Sequence, residues 1–213
     1  MEYFRYGEDA IRIVFGNVID PKINEKIRRY YLFLKSLELK EIIDIIPSFV
    51  TCMIHFNSGE ISFDELVSYL RKNEAYISAF NAPEPKIHEI QVAYGGDSGP
   101  DMERVMACTG LSEQEIIDLH TSTVYNVYAI GFMPGFPYLG ILDERLHVPR
   151  LDTPRLKVPS GSIGLAQSQT GIYTFESPGG WQIIGRTEER LFNHAKEPYC
   201  AISVGDMVRF ARI

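Results

Sequence analysis

The sequence of 213 residues has few cysteines, a single tryptophan and no long apolar run. Its three cysteines lie far apart and form no CxxC pair, which argues against a disulfide framework or a structural zinc site. No segment approaches the roughly 18 apolar residues that cross a bilayer, and the N-terminus lacks the pattern of a secretory signal. The five histidines are scattered without metal-ligand spacing, so no bound metal is expected. These absences predict a soluble, cytoplasmic protein with reduced thiols and no membrane partner.

The charge of the chain argues against a nucleic-acid partner. Its formal net charge is −7, so it has little positive charge with which to neutralise phosphates. Two short helices predicted between Pro100 and His120 resemble a helix-turn-helix only superficially, because the second carries acidic residues and no Lys or Arg. Neither a Walker A loop nor a GxGxxG motif after a strand is present, so the sequence shows no standard cradle for nucleotide phosphates.

The segment Gly96–Pro100 has the sequence GDSGP, which resembles the nucleophile segment of trypsin-like proteases. Too little chain precedes it to supply the double barrel, the histidine and the aspartate of that fold. Ser98 is better placed as the cap of a helix that begins at Pro100. We therefore predict a structural role for this serine.

The first 85 residues alternate between strand and helix patterns. Alternating apolar residues predict a strand at Ile11–Phe15, and helical spacing of apolar residues follows it. Two apolar runs on either side of Pro47 predict a pair of strands, because proline cannot donate to a central ladder. A capping box at Ser62 and Glu65 predicts the start of a second helix. Strand, helix, two strands, helix and a further strand is the order of a ferredoxin-like α+β domain, assigned to residues 1–85.

Residues 86–213 are predicted to form a second domain after a linker at Asn81–Pro85, where two prolines and polar neighbours disfavour regular structure. After two short helices, strands and tight turns follow one another, which is typical of a small closed β-barrel. Glycine and proline are concentrated between Gly131 and Gly185. They could simply supply the turns of a barrel, or they could form rigid loops that bind a ligand; we favour the second interpretation.

Three segments of unusual composition lie in this half: Gly131–Gly140, Val148–Ser162 and Ser177–Thr187. Together with Tyr94–Asp101 and Val204–Phe210, they closely resemble the allophanate hydrolase subunit 1 family, which contains the 5-oxoprolinase subunit PxpB and the kinase inhibitor KipI. The resemblance covers the second half almost continuously and the first half only in outline. It implies an α+β chain with a ferredoxin-like N-terminal domain and a cyclophilin-like β-barrel domain.

The resemblance also implies a function, which is that of a subunit of an ATP-dependent complex that opens 5-oxo-L-proline to L-glutamate. It implies a PxpC-like barrel protein and a PxpA-like protein as partners, and ATP as a cofactor whose site the sequence does not locate. Related carboxyltransferases such as urea carboxylase fuse two barrels, so we expect the second barrel from another polypeptide. Two other functions stay open: inhibition of a sporulation histidine kinase, and a role in an allophanate- or urea-metabolising hydrolase.

Opening a lactam requires an anchor for the substrate carboxylate and polarisation of the carbonyl. Arg150, Arg155 and Lys157 are candidates for the anion site, because a guanidinium can bind a carboxylate or a phosphate through two hydrogen bonds. These cations could instead pair with nearby acids such as Asp152. Trp181 is expected to pack in the core rather than to stack on a ligand. The other candidates for substrate binding are polar side chains and glycines of the rigid loops: Ser160, Gln167, Thr170, Tyr173, Gly179, Gly180 and Arg186.

The reaction also requires a proton for the leaving nitrogen. His120 is the candidate for this catalytic step, since an unperturbed imidazole titrates near neutrality. It ends a predicted helix, where a capping role is equally natural. No candidate is a recognised nucleophile paired with a base, so we expect a partner protein to complete the active site.

Overall fold

The computed structural model describes residues 1–213 and divides the chain into two compact units, Met1–Glu84 and Pro85–Ile213. The division falls within the predicted linker Asn81–Pro85. No helix is long and apolar enough to cross a membrane.

The first unit contains a four-stranded antiparallel sheet and three helices. The strands are β1 (Glu2–Tyr6), β2 (Ala10–Val14), β3 (Ile42–Ser48) and β4 (Thr51–Phe56), and they pair in the order β1-β2-β4-β3. The helices are α1 (Pro21–Ser36), α2 (Phe63–Lys72) and α3 (Glu74–Ala79). Apolar side chains of the sheet and the helices form one buried core, which includes Ile11, Ile13, Ile27, Tyr30, Ile54 and Leu70.

The capping box predicted for α2 is confirmed. The hydroxyl of Ser62 accepts a hydrogen bond from the backbone N–H of Glu65 at 3.3 Å, and the Glu65 carboxylate accepts one from the backbone N–H of Ser62 at 3.0 Å. These two bonds satisfy backbone donors that a helix start otherwise leaves unpaired.

The ferredoxin-like order predicted for the first unit is not confirmed. An additional strand, β1, precedes the predicted first strand, and the segment after α2 forms the helix α3 instead of a further strand. Because β1 lies at the sheet edge with Phe4 and Tyr6 exposed, its sequence lacks the alternation of a half-buried strand. Helix α3 follows α2 after the single residue Asn73 and buries Ile77.

The second unit contains a closed seven-stranded barrel, which confirms the β-barrel predicted for this half. Its strands are β5 (Ile87–Tyr94), β6 (Val124–Ile130), β7 (Pro137–Gly140), β9 (Ser162–Ala166), β10 (Gln169–Ile172), β12 (Gln182–Arg186) and β13 (Met207–Arg212). They pair in the order β10-β7-β6-β13-β5-β12-β9, and only β5 and β13 run parallel. A separate antiparallel pair consists of β8 (Arg155–Val158) and β11 (Ser177–Gly179).

Two helices, α4 (Met102–Thr109) and α5 (Glu113–Ser122), connect β5 to β6. A buried apolar cluster joins these helices to the barrel strands and includes Val92, Val105, Ile116, Val127, Leu165 and Ile184. A second, smaller cluster lies beside β8 and contains Phe136, Val158, Ala166, Tyr173, Trp181 and Ile183. This smaller cluster supports the pockets described next.

Candidate functional site

The three glycine- and proline-rich segments of the second unit meet around one cavity of about 250 Å³, which we call the aromatic pocket. Each segment contributes to its wall, although long stretches of chain separate them. The residues that line it are Phe132, Phe136, Tyr138, Arg150, Pro154, Tyr173, Pro178, Gly179, Gly180 and Trp181.

Edge-to-face aromatic contacts hold the wall of the aromatic pocket together. The buried ring of Phe136 lies with its centroid 4.9 Å from that of Tyr138, 5.3 Å from that of Tyr173 and 5.5 Å from that of Trp181. Phe132 is 63% exposed and its ring lies 5.7 Å from that of Phe136. Such arrangements are favoured by the aromatic quadrupoles and fix the ring planes. The pocket therefore offers rigid, flat, apolar walls to a small ring.

Arg150 is the only charged residue that lines the aromatic pocket. Its guanidinium carbon lies 5.9 Å from the centroid of the Trp181 ring, a cation–π distance, and it forms no ion pair with a carboxylate. Burial raises the pKa of Tyr173 above its ordinary value, although the nearby Arg150 acts in the opposite direction. The phenol therefore stays protonated at neutral pH. The pocket thus combines one available cation with a neutral hydroxyl.

The two glycines predicted to bind substrate differ in their surroundings. A Cβ atom on Gly179 would lie 2.4 Å from the Tyr173 hydroxyl oxygen, whereas one on Gly180 would lie 3.6 Å from the nearest atom, in Pro154. The first distance is a clash and the second is an ordinary contact. Gly179 therefore makes room for Tyr173 at the pocket wall, and Gly180 has no such steric requirement.

A second cavity, of about 180 Å³, contains three other predicted candidates, and we call it the basic pocket. Arg155 and Lys157 lie two residues apart on β8 and both line it, as expected for one face of an extended strand. Arg186, at the end of β12, lines it as well. The full set of lining residues is Asp97, Ser98, Pro100, Arg155, Lys157, Val158, Pro159, Ser162, Ile183 and Arg186. The cations grouped from the sequence into one anion site thus occupy two cavities.

A carboxylate that was not among the candidates holds Arg155 in place. Asp101 is buried, and its two oxygens accept hydrogen bonds from the Arg155 guanidinium and, at 2.6 Å, from the backbone N–H of Ile183. The predicted cap at Ser98 is wrong, because α4 begins at Met102 and Ser98 lies in a preceding 3₁₀ turn. The signal for Asp101 in the sequence was its place at the end of the segment Tyr94–Asp101.

His120 lies inside the barrel unit, away from both pockets. Its Nδ1 atom is 2.7 Å from the Tyr94 hydroxyl, its Nε2 atom is 3.0 Å from the Thr170 hydroxyl, and its ring stacks on Phe210 at 4.4 Å. Burial lowers the pKa of His120 to about 3, so the imidazole is neutral at ordinary pH. A side chain that is fully buried and bonded at both nitrogens has no route to a substrate nitrogen. We therefore replace the predicted proton transfer with a structural role, and Thr170 shares that role.

Two further candidates contact neither pocket. The hydroxyl of Ser160 donates a hydrogen bond to the carbonyl oxygen of Thr174 at 2.9 Å. Gln167 lies in the turn between β9 and β10 with a positive φ of 53°, and its backbone N–H donates to the carbonyl oxygen of Val148 at 2.7 Å. Both residues stabilise local loop structure, and their predicted contact with substrate has no geometric support.

Residues 1–202 match the family model of the carboxyltransferase domain, subdomain C and D. The chain is 35% identical to the 5-oxoprolinase subunit PxpB of Bacillus subtilis (strain 168), across 97% of this chain and 90% of that protein. It is 39% identical to the corresponding 5-oxoprolinase subunit of Escherichia coli O157:H7, across 96% of this chain and 92% of that protein. The crystal structure of TTHA0988 superposes on 96% of this chain with a TM-score of 0.85 and 28% identity, and this chain spans 40% of that one.

The difference between the two glycines can be tested through Trp181, the only tryptophan and therefore a specific fluorescence probe of the aromatic pocket. We expect Gly179→Ala to displace Tyr173, to shift the Trp181 emission and to destabilise the protein by about 1–3 kcal/mol, the usual cost of overpacking. The matched control Gly180→Ala should keep the emission and the stability of the wild type. Equal spectra for all three proteins would contradict the packing described here.

The buried imidazole of His120 predicts a specific dependence of stability on pH. Its folded pKa of about 3 lies below the ordinary value of about 6.5 that applies in the unfolded chain. The unfolded state therefore binds the extra proton, and stability is lost as the pH falls below about 6.5, by about 1.4 kcal/mol per pH unit from this group. Urea unfolding at several pH values should show a shallower decline in His120→Gln. The control His194→Gln, at an exposed position, should keep the wild-type slope; equal slopes in all three proteins would refute the prediction.

Proposed function

The chain belongs to the carboxyltransferase domain, subdomain C and D family, and from that premise we propose that it is the PxpB subunit of an ATP-dependent 5-oxoprolinase. The proposed complex opens 5-oxo-L-proline to L-glutamate. The curated relatives that match almost the whole chain are named as this subunit of 5-oxoprolinase, and they support the assignment. The observation that carries the role of this chain is the aromatic pocket, in which a single cation lies among flat apolar walls.

The chemistry of the aromatic pocket matches the parts of the proposed substrate. 5-Oxo-L-proline has a five-membered ring, whose faces are apolar, and one carboxylate. We place the ring against Trp181 and Phe132 and the carboxylate on the guanidinium of Arg150, which can form two charge-assisted hydrogen bonds. The protonated hydroxyl of Tyr173 is then the donor closest in chemistry to what a lactam carbonyl requires.

Catalysis requires groups that the aromatic pocket does not contain. Its lining includes no carboxylate, histidine, serine, cysteine or lysine, and so no nucleophile or general base beside Tyr138 and Tyr173. We therefore assign this chain to binding and orientation of the substrate, and the remaining catalytic groups to partner proteins, a PxpC-like barrel protein and a PxpA-like protein. ATP is consumed by the proposed complex, and its use places the reaction in the cytoplasm.

Exposed apolar side chains beside the pockets support a covering partner. Phe132 at the rim of the aromatic pocket is 63% exposed, and Leu156 on β8 is 87% exposed. Phe175, in the loop before β11, is 41% exposed. A cluster of large apolar residues at a pocket rim is typical of a protein–protein contact. The kinase-inhibitor and the allophanate or urea functions stay predictions, since the named relatives favour the 5-oxoprolinase assignment.

The assignment is tested by reconstituting the chain with its two proposed partner proteins. The complex should release glutamate from 5-oxo-L-proline only when ATP is present, and omission of this chain should abolish the release. Failure of the complete complex to form glutamate would remove the proposed function.

Arg150 provides a test of the substrate site within that assay. We expect Arg150→Gln to raise the KM for 5-oxo-L-proline by about 10- to 100-fold, because a charge-assisted hydrogen bond to the carboxylate is lost. Arg150→Lys should retain part of the affinity, since it keeps the charge but not the bidentate geometry. The control Arg190→Gln removes an exposed arginine outside both pockets and should leave the KM unchanged. An unchanged KM in Arg150→Gln would exclude the aromatic pocket as the carboxylate site.

A further inference from the structure

The basic pocket has an excess of positive charge that the binding of 5-oxo-L-proline in the aromatic pocket does not use. Three cations line it, Arg155, Lys157 and Arg186, against the single carboxylate of Asp97. They come from two elements, since Arg155 and Lys157 lie on β8 whereas Arg186 ends β12. Charges placed on different sides of a small cavity surround an anion better than a single arginine does.

Each of the three cations has capacity for a ligand. Arg186 forms no ion pair or hydrogen bond with the protein. Arg155 binds Asp101 through Nη2, but its Nη1 atom is buried without a partner, and a buried unpaired donor is costly. Lys157 pairs with Glu176 at 2.9 Å, with both side chains more than half exposed, and such surface pairs contribute little. An incoming anion could therefore satisfy Arg155 and displace the weak pair of Lys157.

The shape of the charge distribution distinguishes among anions. A carboxylate has two oxygens and one charge, which a single guanidinium such as that of Arg150 can satisfy. A phosphoryl group has three terminal oxygens and up to two charges, and it matches three separate cations better. Ser98 adds a hydroxyl to the lining, and Asp97 can accept a hydrogen bond from a phosphate that retains a proton. The cavity of about 180 Å³ suits a small anion.

The position of the basic pocket links it to the aromatic pocket. Strand β8 pairs with β11 so that Arg155 lies opposite Gly179, and Gly179 lines the aromatic pocket while Arg155 lines the basic one. Paired residues on neighbouring strands have Cα atoms only about 4.5–5.5 Å apart. An anion in the basic pocket would therefore lie next to a molecule in the aromatic pocket.

We propose that the basic pocket binds a phosphoryl group beside the substrate pocket. The inference rests on the proposed function, because an ATP-dependent opening of the lactam must release phosphate. The group has two possible sources, which are free inorganic phosphate and the terminal phosphate of a nucleotide. Both present the same terminal oxygens to Arg155, Lys157 and Arg186.

The binding is tested by calorimetric titration of the full chain with inorganic phosphate, a readout that does not depend on 5-oxoprolinase activity. We expect saturable binding that Arg186→Gln and Lys157→Gln each weaken by about 10-fold or more, the usual effect of losing a hydrogen bond to a charged group. The matched control Arg190→Gln and the neighbouring-pocket variant Arg150→Gln should keep the wild-type affinity. Absence of saturable binding by the folded wild type, or equal affinity in all five proteins, would overturn the proposal.

The source of the group is distinguished by adding a nonhydrolysable ATP analogue. An analogue that competes with phosphate and binds more tightly identifies the terminal phosphate of a nucleotide, whereas binding of phosphate alone identifies the released product. Displacement of phosphate by an equal concentration of acetate would show a general carboxylate site and would overturn the assignment to a phosphoryl group. Phosphate binding that persists in a complex unable to form glutamate would reject the 5-oxoprolinase function and leave the phosphate site intact.

Discussion

A carboxylate buried just before helix α4 joins the barrel to the two-stranded sheet that lines both pockets. Asp101 accepts hydrogen bonds from the backbone of Ile183 on β12 and from Arg155 on β8. Strand β8 in turn pairs with β11, whose Pro178 and Gly179 form part of the aromatic wall. Removal of Asp101 would leave a partly buried guanidinium without its counter-charge, which is strongly destabilising. The relative positions of the two pockets therefore depend on this one ion pair.

The two pockets divide the chemistry of the proposed reaction between them. The aromatic pocket excludes water from a small ring and provides one cation, Arg150, while the basic pocket provides three cations. Neither function follows from net charge, since the chain as a whole is acidic at −7. Local arrangement decides the electrostatics, because exposed charges more than about 10 Å apart are largely screened by salt.

The barrel and the convergence of the three glycine- and proline-rich segments could be predicted, because local turn chemistry and strand patterns carry that information. The separation of Arg150 from Arg155 could not, since it depends on which side of β8 and β11 each side chain occupies. His120 was misassigned for a related reason: the sequence shows an ionisable side chain at a helix end but not the Tyr94 and Thr170 hydroxyls that enclose it. The edge strand β1 escaped prediction because its exposed side chains show no alternation.

The central claim is that the aromatic pocket is the binding site for 5-oxo-L-proline. A crystal structure of the chain assembled with its partner proteins and 5-oxo-L-proline, in the absence of ATP, tests it most directly. The account predicts electron density for the lactam ring against Trp181, with its carboxylate within hydrogen-bonding distance of Arg150. Density for the ligand in a partner protein, with the aromatic pocket empty or filled by a partner side chain, would contradict it.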